Sequence, residues 1–213
     1  MSYKKDLVKK KLLRWEHYIR NFSFPDWEDI PDIGLYMDQV TTYLSQRLDY
    51  LPPNLKKEES PITAATINNY VRNKVMPEPV KKRYYRIHLA YLLMICTLKQ
   101  TLSIASLQAL LPNGESEAEV KQHYTAFAKR HHIAVDYFGD QIELIAAPML
   151  NSEVDSKLSA HSPEELIFSS VIIAGFSKIF AQKLLDLKDK DIDEAGALDF
   201  SPPLVKKNKK YKK

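Results

Sequence analysis

The chain has 213 residues, of which 45% are apolar and 27% charged, and a formal net charge of +4. That length and apolar share are enough to bury the core of one domain or two small ones. No window has the unbroken apolar length of a membrane span, and the basic N-terminus lacks the short apolar stretch of a secretion signal, so a cytoplasmic protein without membrane contact is expected. The single Cys96 excludes an internal disulfide framework and is expected in the core. No Cys or His pairs stand at the spacing of a structural zinc site. Without a phosphate-binding loop, a nucleophile elbow or a convincing carboxylate pair, neither an enzyme nor a cofactor is expected.

The charge is unevenly placed: +5 over residues 1–20, −5 over 21–60, +6 over 61–111, −8 over 112–205 and +6 over 206–213. A basic block in an otherwise acidic chain suits a phosphate backbone, whose counterions are released when Lys and Arg dock, although a solvated surface has the same composition. The last block, KKNKKYKK, is expected to be a disordered basic tail over 201–213, since like charges repel.

In chain order, residues 5–20 alternate Lys and Arg with Leu7, Val8, Leu12, Trp15, Tyr18 and Ile19 at a helical period, which predicts an amphipathic helix with a basic outer face. The stretch 21–33 has two prolines, two Phe and a Trp, and reads as an ordered connector anchored by its aromatics. Its acids Asp26, Glu28, Asp29 and Asp32 are better suited to helix capping than to holding a metal. Tyr36, Val40, Tyr43, Leu44 and Leu48 mark a second helix, ended by Pro52 and Pro53 and followed by a mobile loop to Ser60.

Thr63 is placed to cap a third helix, with Ile62 and Ile67 as a hydrophobic staple across its first turn. Ile67, Val71 and Val75 would face the core, leaving Asn68 with Arg72 and Asn69 with Asn73 as rows on the other side. Amides and guanidinium groups are the side chains that pair bidentately with adenine and guanine edges in a major groove. Pro77 and Pro79 stop this helix. Beyond them, Lys81, Lys82, Arg83 and Arg86 interleave with Tyr84 and Tyr85, a composition suited to positioning contacts with phosphates. Leu89, Leu92, Leu93, Cys96 and Leu98 predict a central helix that is apolar nearly all round. Leu102, Ser103 and Leu107 repeat the staple and cap for a short one, ended by Pro112, Asn113 and Gly114.

This segment resembles the DNA-binding head of the MerR family of bacterial regulators, a winged helix-turn-helix. Thr66 and Ile67 match that family's Thr-Leu, Tyr70 its second tyrosine, Arg72 its basic residue, Lys82 and Tyr84 the Arg-x-Tyr of the wing, and Leu89 the leucine opening the next helix. Asn68 stands where the family has a DNA-contacting arginine, Asn69 where it has its first tyrosine and His88 where it has an aspartate, while the Gly-Tyr tip of the wing is missing. Residues 24–111, from PDWEDIPDIGLYMDQV to LKQTLSIASLQALL, are also similar to the Gram-positive bacterial family catalogued as domain of unknown function 1836. That resemblance implies a MerR-like helix-turn-helix protein that regulates transcription.

In the second half, residues 116–132 read as a helix with Val120, Tyr124, Phe127 and Ala128 on one side. Residues 133–146 fit either its continuation, which is favoured, or a hairpin turning at Gly139. His123, His131 and His132 are expected at the surface. Ser162 and Pro163 open a strongly apolar helix from Leu166 to Leu187, either the core of a C-terminal domain or a dimer interface.

The whole predicts an all-α chain in four parts: a basic amphipathic helix over 1–20, a MerR-like DNA-binding domain over 21–112, a C-terminal helical domain over 113–200 and the basic tail. The expected function is sequence-specific regulation of transcription on double-stranded DNA, by a homodimer because one short helix reads few bases. A small-molecule effector is a further candidate partner. The expected DNA-contacting residues are Thr66, Asn68, Asn69, Tyr70, Arg72, Asn73 and Lys74 of the helix Thr63 to Val75, with Lys81, Lys82, Arg83, Tyr84 and Arg86 of the segment 77–86 on the backbone. The alternative is a helical ligand-sensing or protein-interaction module that has lost DNA binding.

Overall fold

A computed structural model describes residues 5–51, 62–112, 116–150, 156 and 158–186. Among them the architecture is all-α: α1 (Lys5–Arg20), α2 (Met37–Arg47), α3 (Ala64–Arg72), α4 (Arg86–Leu98), α5 (Ile104–Leu110), α6 (Glu117–Leu150) and α7 (Pro163–Asp186), with one 3-10 turn at Trp27–Asp29. Extended pairing among the described residues is limited to two isolated antiparallel bridges, Leu35 with Tyr84 and Val80 with Arg83. The expected loop to Ser60 and the basic tail lie outside the described residues.

The central helix is α4, in which every residue from His88 to Cys96 is buried. Around it stand Val40 and Leu44 of α2, Ile67 and Tyr70 of α3, Leu107 of α5, and Trp27 and Ile30 of the connector. Burial pushes the Cys96 thiol up to about 12, which leaves it an inert core group. The core does not stop at residue 112, the expected domain boundary. Val120 and Tyr124 of α6 belong to the same cluster, and the Tyr124 hydroxyl donates to the carbonyl of Pro25 at 2.8 Å.

Both expected N-caps are present. Thr63 Oγ1 accepts the Thr66 N–H at 3.2 Å and Ser103 Oγ accepts the Ser106 N–H at 3.1 Å, each beneath a staple of buried residues, Ile62 with Ile67 and Leu102 with Leu107. Gly139 lies inside the unbroken α6, not in a hairpin. There it makes room for Arg20 of α1, whose guanidinium pairs with Asp140 at 2.9 Å and lies 2.5 Å from where a Cβ on Gly139 would stand. His131 departs from its expected surface position. It is half-buried among Phe22, Phe24, Tyr50 and Phe127, with Nδ1 lacking a hydrogen-bond partner. Burial, with a smaller effect from His132, holds its imidazole below the ordinary histidine value.

α7 opens as expected, with Ser162 Oγ accepting the Glu165 N–H at 3.2 Å ahead of a first-turn proline. It is not a core helix. Leu166 is buried, but Phe168 is 66% and Phe176 69% exposed, and the residues between them include several other exposed apolar side chains.

Candidate nucleic-acid interface

The surface that bears the expected contacts is built from α3 and the ten residues after it. α3 ends at Arg72, three residues short of the expected Val75, because the chain closes there in a Schellman motif. Lys74 N–H donates to the Val71 carbonyl at 2.9 Å and Val75 N–H to that of Tyr70 at 3.0 Å, while Lys74 takes a left-handed φ of 53°. Val75 and Met76 then turn into the core. Asn73, past the helix, folds back and donates through Nδ2 to Asn69 Oδ1 at 3.0 Å, which also accepts from Arg72 Nη2 at 2.8 Å. On its far side, Gln108 of α5 donates to the Asn73 carbonyl.

Within residues 77–86 the chain makes a tight turn. Val80 and Arg83 exchange backbone hydrogen bonds of 3.1 and 2.9 Å around Lys81 and Lys82, whose φ angles are 49° and 63°. Positive φ at both central residues defines the two-residue turn of a tight hairpin, a conformation normally supplied by Asn-Gly. Lysine pays for it in steric strain, roughly 1–2 kcal/mol per residue. Among the described residues the non-glycine positions with positive φ are Lys74, Lys81 and Lys82, all on this surface.

The base of the hairpin is fixed to the body. Leu35 and Tyr84 exchange backbone hydrogen bonds of 2.8 Å in each direction. Arg83 donates to Tyr36 Oη at 2.8 Å and lies over that ring, 4.5 Å from its centre. Gly34, at φ 69°, lets the strand pass: a Cβ there would come within 3.0 Å of the Tyr85 ring. His88 supplies the remaining tie. Its Nδ1 accepts the Tyr85 N–H at 3.0 Å, so the ring proton sits on Nε2, which donates to the Glu78 carbonyl at 3.0 Å. The imidazole therefore caps α4 and holds the stretch before the hairpin at once. Burial lowers its affinity for a second proton.

Five expected contact residues are thereby reassigned. Tyr70 and Tyr84 are only 5% and 3% exposed and are core side chains, their hydroxyls pushed above the ordinary tyrosine value by burial. Arg86 donates from Nε to the Ile30 carbonyl at 3.0 Å, and its backbone N–H reaches Asp32 Oδ1 at 3.1 Å, so it braces the connector. Arg83 braces the hairpin base, and Thr66 shares its hydroxyl with Thr63 at 3.0 Å. The side chains left outward are Asn68, Arg72, Lys74, Lys81 and Lys82, with Asn69 and Asn73 half-buried beside them. None of these four cations has an ion-pair partner among the described residues.

Ala64 and Ala65 were missed by sequence reasoning. Both are exposed at the start of α3, on the side of Asn68, and a short side chain there allows close approach to whatever the helix meets. A groove of about 1000 Å³ opens between Ala64 and α2, lined by Tyr36, Thr41, Ser45, Ile62, Ala64 and Lys82.

The described residues thus form an all-α protein in which α3 and the adjoining hairpin carry four outward cations, Arg72, Lys74, Lys81 and Lys82. Residues 25–127 match the profile of the family described as Domain of unknown function (DUF1836), which supports that family for this stretch. The match ends within α6, three residues after the last side chain of the main core, Tyr124. Nothing among curated proteins or solved structures matches the chain.

Proposed function

We propose that the chain is a sequence-specific DNA-binding regulator of transcription of the MerR-like winged helix-turn-helix type, with α3 in the major groove and the Lys81–Lys82 turn on the adjacent backbone. The observation that carries this reading is the backbone of the three lysines. Positive φ at non-glycine residues clusters at functional sites, and all three of these lysines are exposed around one short helix. Asn68 and Arg72 are the outward side chains suited to base edges, and Ala64 and Ala65 suit close contact with a thymine methyl. Lys74, Lys81 and Lys82 supply the electrostatic share of affinity. Two copies on two half-sites provide the affinity that one nine-residue helix lacks.

The test is selection of bound sequences from random double-stranded DNA at two salt concentrations. The expected result is a palindromic motif whose recovery weakens at higher salt, with base preference relaxed by Asn68→Ala or Arg72→Ala. Absence of binding at either concentration contradicts the reading. It would favour a second one, in which the groove between α2 and α3, at the upper end of small-molecule site volumes, receives an effector.

A further inference from the structure

α7 is fastened to the body at its two ends and bare between them. Leu166 sits with Ile145 and Ala146 of α6, while near the other end Leu185 packs on the main core and Ser106 of α5 donates to Gln182 at 3.3 Å. Between these ends one side of the helix presents Phe168, Val171, Ile172, Phe176 and Ile179, all exposed, within an arc of roughly 140° at about 100° per residue. Taking about 200 Å² for a whole phenylalanine side chain, these five expose on the order of 600 Å². That is at the top of the range for the largest patch on a monomer, and approaches the ~800 Å² each partner gives to a stable interface.

The pattern within the stripe selects what covers it. Phe168, Ile172, Gly175 and Ile179 follow one another at four, three and four residues, the period of paired helices. Gly175 leaves a gap in the middle: a Cβ there would meet nothing within 4 Å. One antiparallel register sets Ile172 against Gly175, Phe168 against Ile179 and Val171 against Phe176 at the same time. A two-fold pairing of one helix with itself requires such self-complementarity. The same register places the acidic first turn, Glu164 and Glu165, toward the half of the other helix that carries Lys178.

We propose that α7 is the self-association helix, pairing antiparallel with α7 of a second copy, Ile172 of each entering the gap over Gly175 of the other. A lipid surface fits less well. Helices lying on membranes carry Lys and Arg along the polar side, whereas the side of α7 opposite the stripe has Ser170, Ser177 and Ala181, and among the described residues no helix is long and apolar enough to cross a membrane. The role of the pair, two half-site readers on one operator, rests on the DNA reading, but the pairing is tested without DNA.

Sedimentation of the full chain at micromolar concentration is expected to show a dimer. Phe176→Asp should weaken self-association at least about tenfold while leaving the helical circular-dichroism spectrum unchanged, since that ring is exposed within one copy. Gly175→Leu adds apolar surface yet fills the gap, and should also weaken the dimer; a patch of unspecific stickiness would instead associate more. A monomeric wild type, or a dimer that survives both substitutions, overturns the proposal. So does a monomer that co-sediments with phosphatidylcholine–phosphatidylglycerol vesicles through Phe176. A dimer disrupted by both substitutions but showing no affinity for DNA would uphold the pairing and remove the DNA reading alone.

Discussion

α4 and α7 are both rich in apolar residues, yet α4 is enclosed from His88 to Cys96 while α7 presents phenylalanine and isoleucine to solvent. α4 lies where α2, α3, α5, α6 and the connector converge, so each turn of it meets a neighbour. α7 touches the body chiefly at its two ends. Apolar composition therefore sets how much surface a helix must lose, and the topology of this chain decides how much of that loss occurs within one copy.

The largest contrast is open to mutation. Leu92→Ala in α4 is expected to cost about 2–5 kcal/mol, the transfer term plus an unfilled cavity. Phe176→Ala in α7 should change the stability of the isolated monomer by no more than about 0.5 kcal/mol. Denaturant titration at low protein concentration checks both, and equal losses would erase the distinction between the helices.

A second contrast lies within the candidate interface. At Lys74 the backbone conformation suits glycine, so Lys74→Gly should stabilise the fold by about 1 kcal/mol while weakening DNA binding. Thermal unfolding and a binding titration on the same variant separate the two effects.

The smallest expected effect is on pH. His88 and His131 both have folded-state proton affinities below the ordinary histidine value of 6.5, chiefly through burial. The unfolded chain then takes up protons before the folded one does. Stability contributed by the neutral rings is complete above pH 6.5 and declines as the pH falls below it. His88→Asp, which keeps an acceptor for the Tyr85 N–H, should flatten part of that decline, measured as the midpoint of unfolding against pH.

Much of the fold was legible because its rules are local. Thr63 and Ser103 read as caps and Ile67 and Leu107 as staple partners from spacing alone, and the enclosure of α4 followed from its composition. The candidate site was only half legible. Asn68, Arg72, Lys81 and Lys82 are outward as expected, but of Tyr84 and Arg86, two residues apart, the former is buried and the latter braces the connector, distinctions that depend on residues some fifty positions earlier, at Ile30, Asp32 and Leu35. Within Val80-Lys81-Lys82-Arg83 no Gly or Asn announces the turn, so the sequence pointed to a hairpin only through the likeness of Lys82 and Tyr84 to the Arg-x-Tyr of a wing. The histidine at position 88 departs from the aspartate of the MerR pattern, but it still caps the helix, through an imidazole nitrogen in place of a carboxylate.

The measurement that bears most directly on the account replaces that turn with the residues its backbone favours, Lys81→Asn with Lys82→Gly, and follows stability and DNA binding together. If the two lysines hold a strained conformation in order to meet phosphates, the double variant should be more stable by about 1 kcal/mol or more, bind DNA more weakly, and show a log–log salt dependence shallower by about two. A variant that gains the stability but keeps the wild-type affinity and salt dependence would contradict the claim that this hairpin grips DNA.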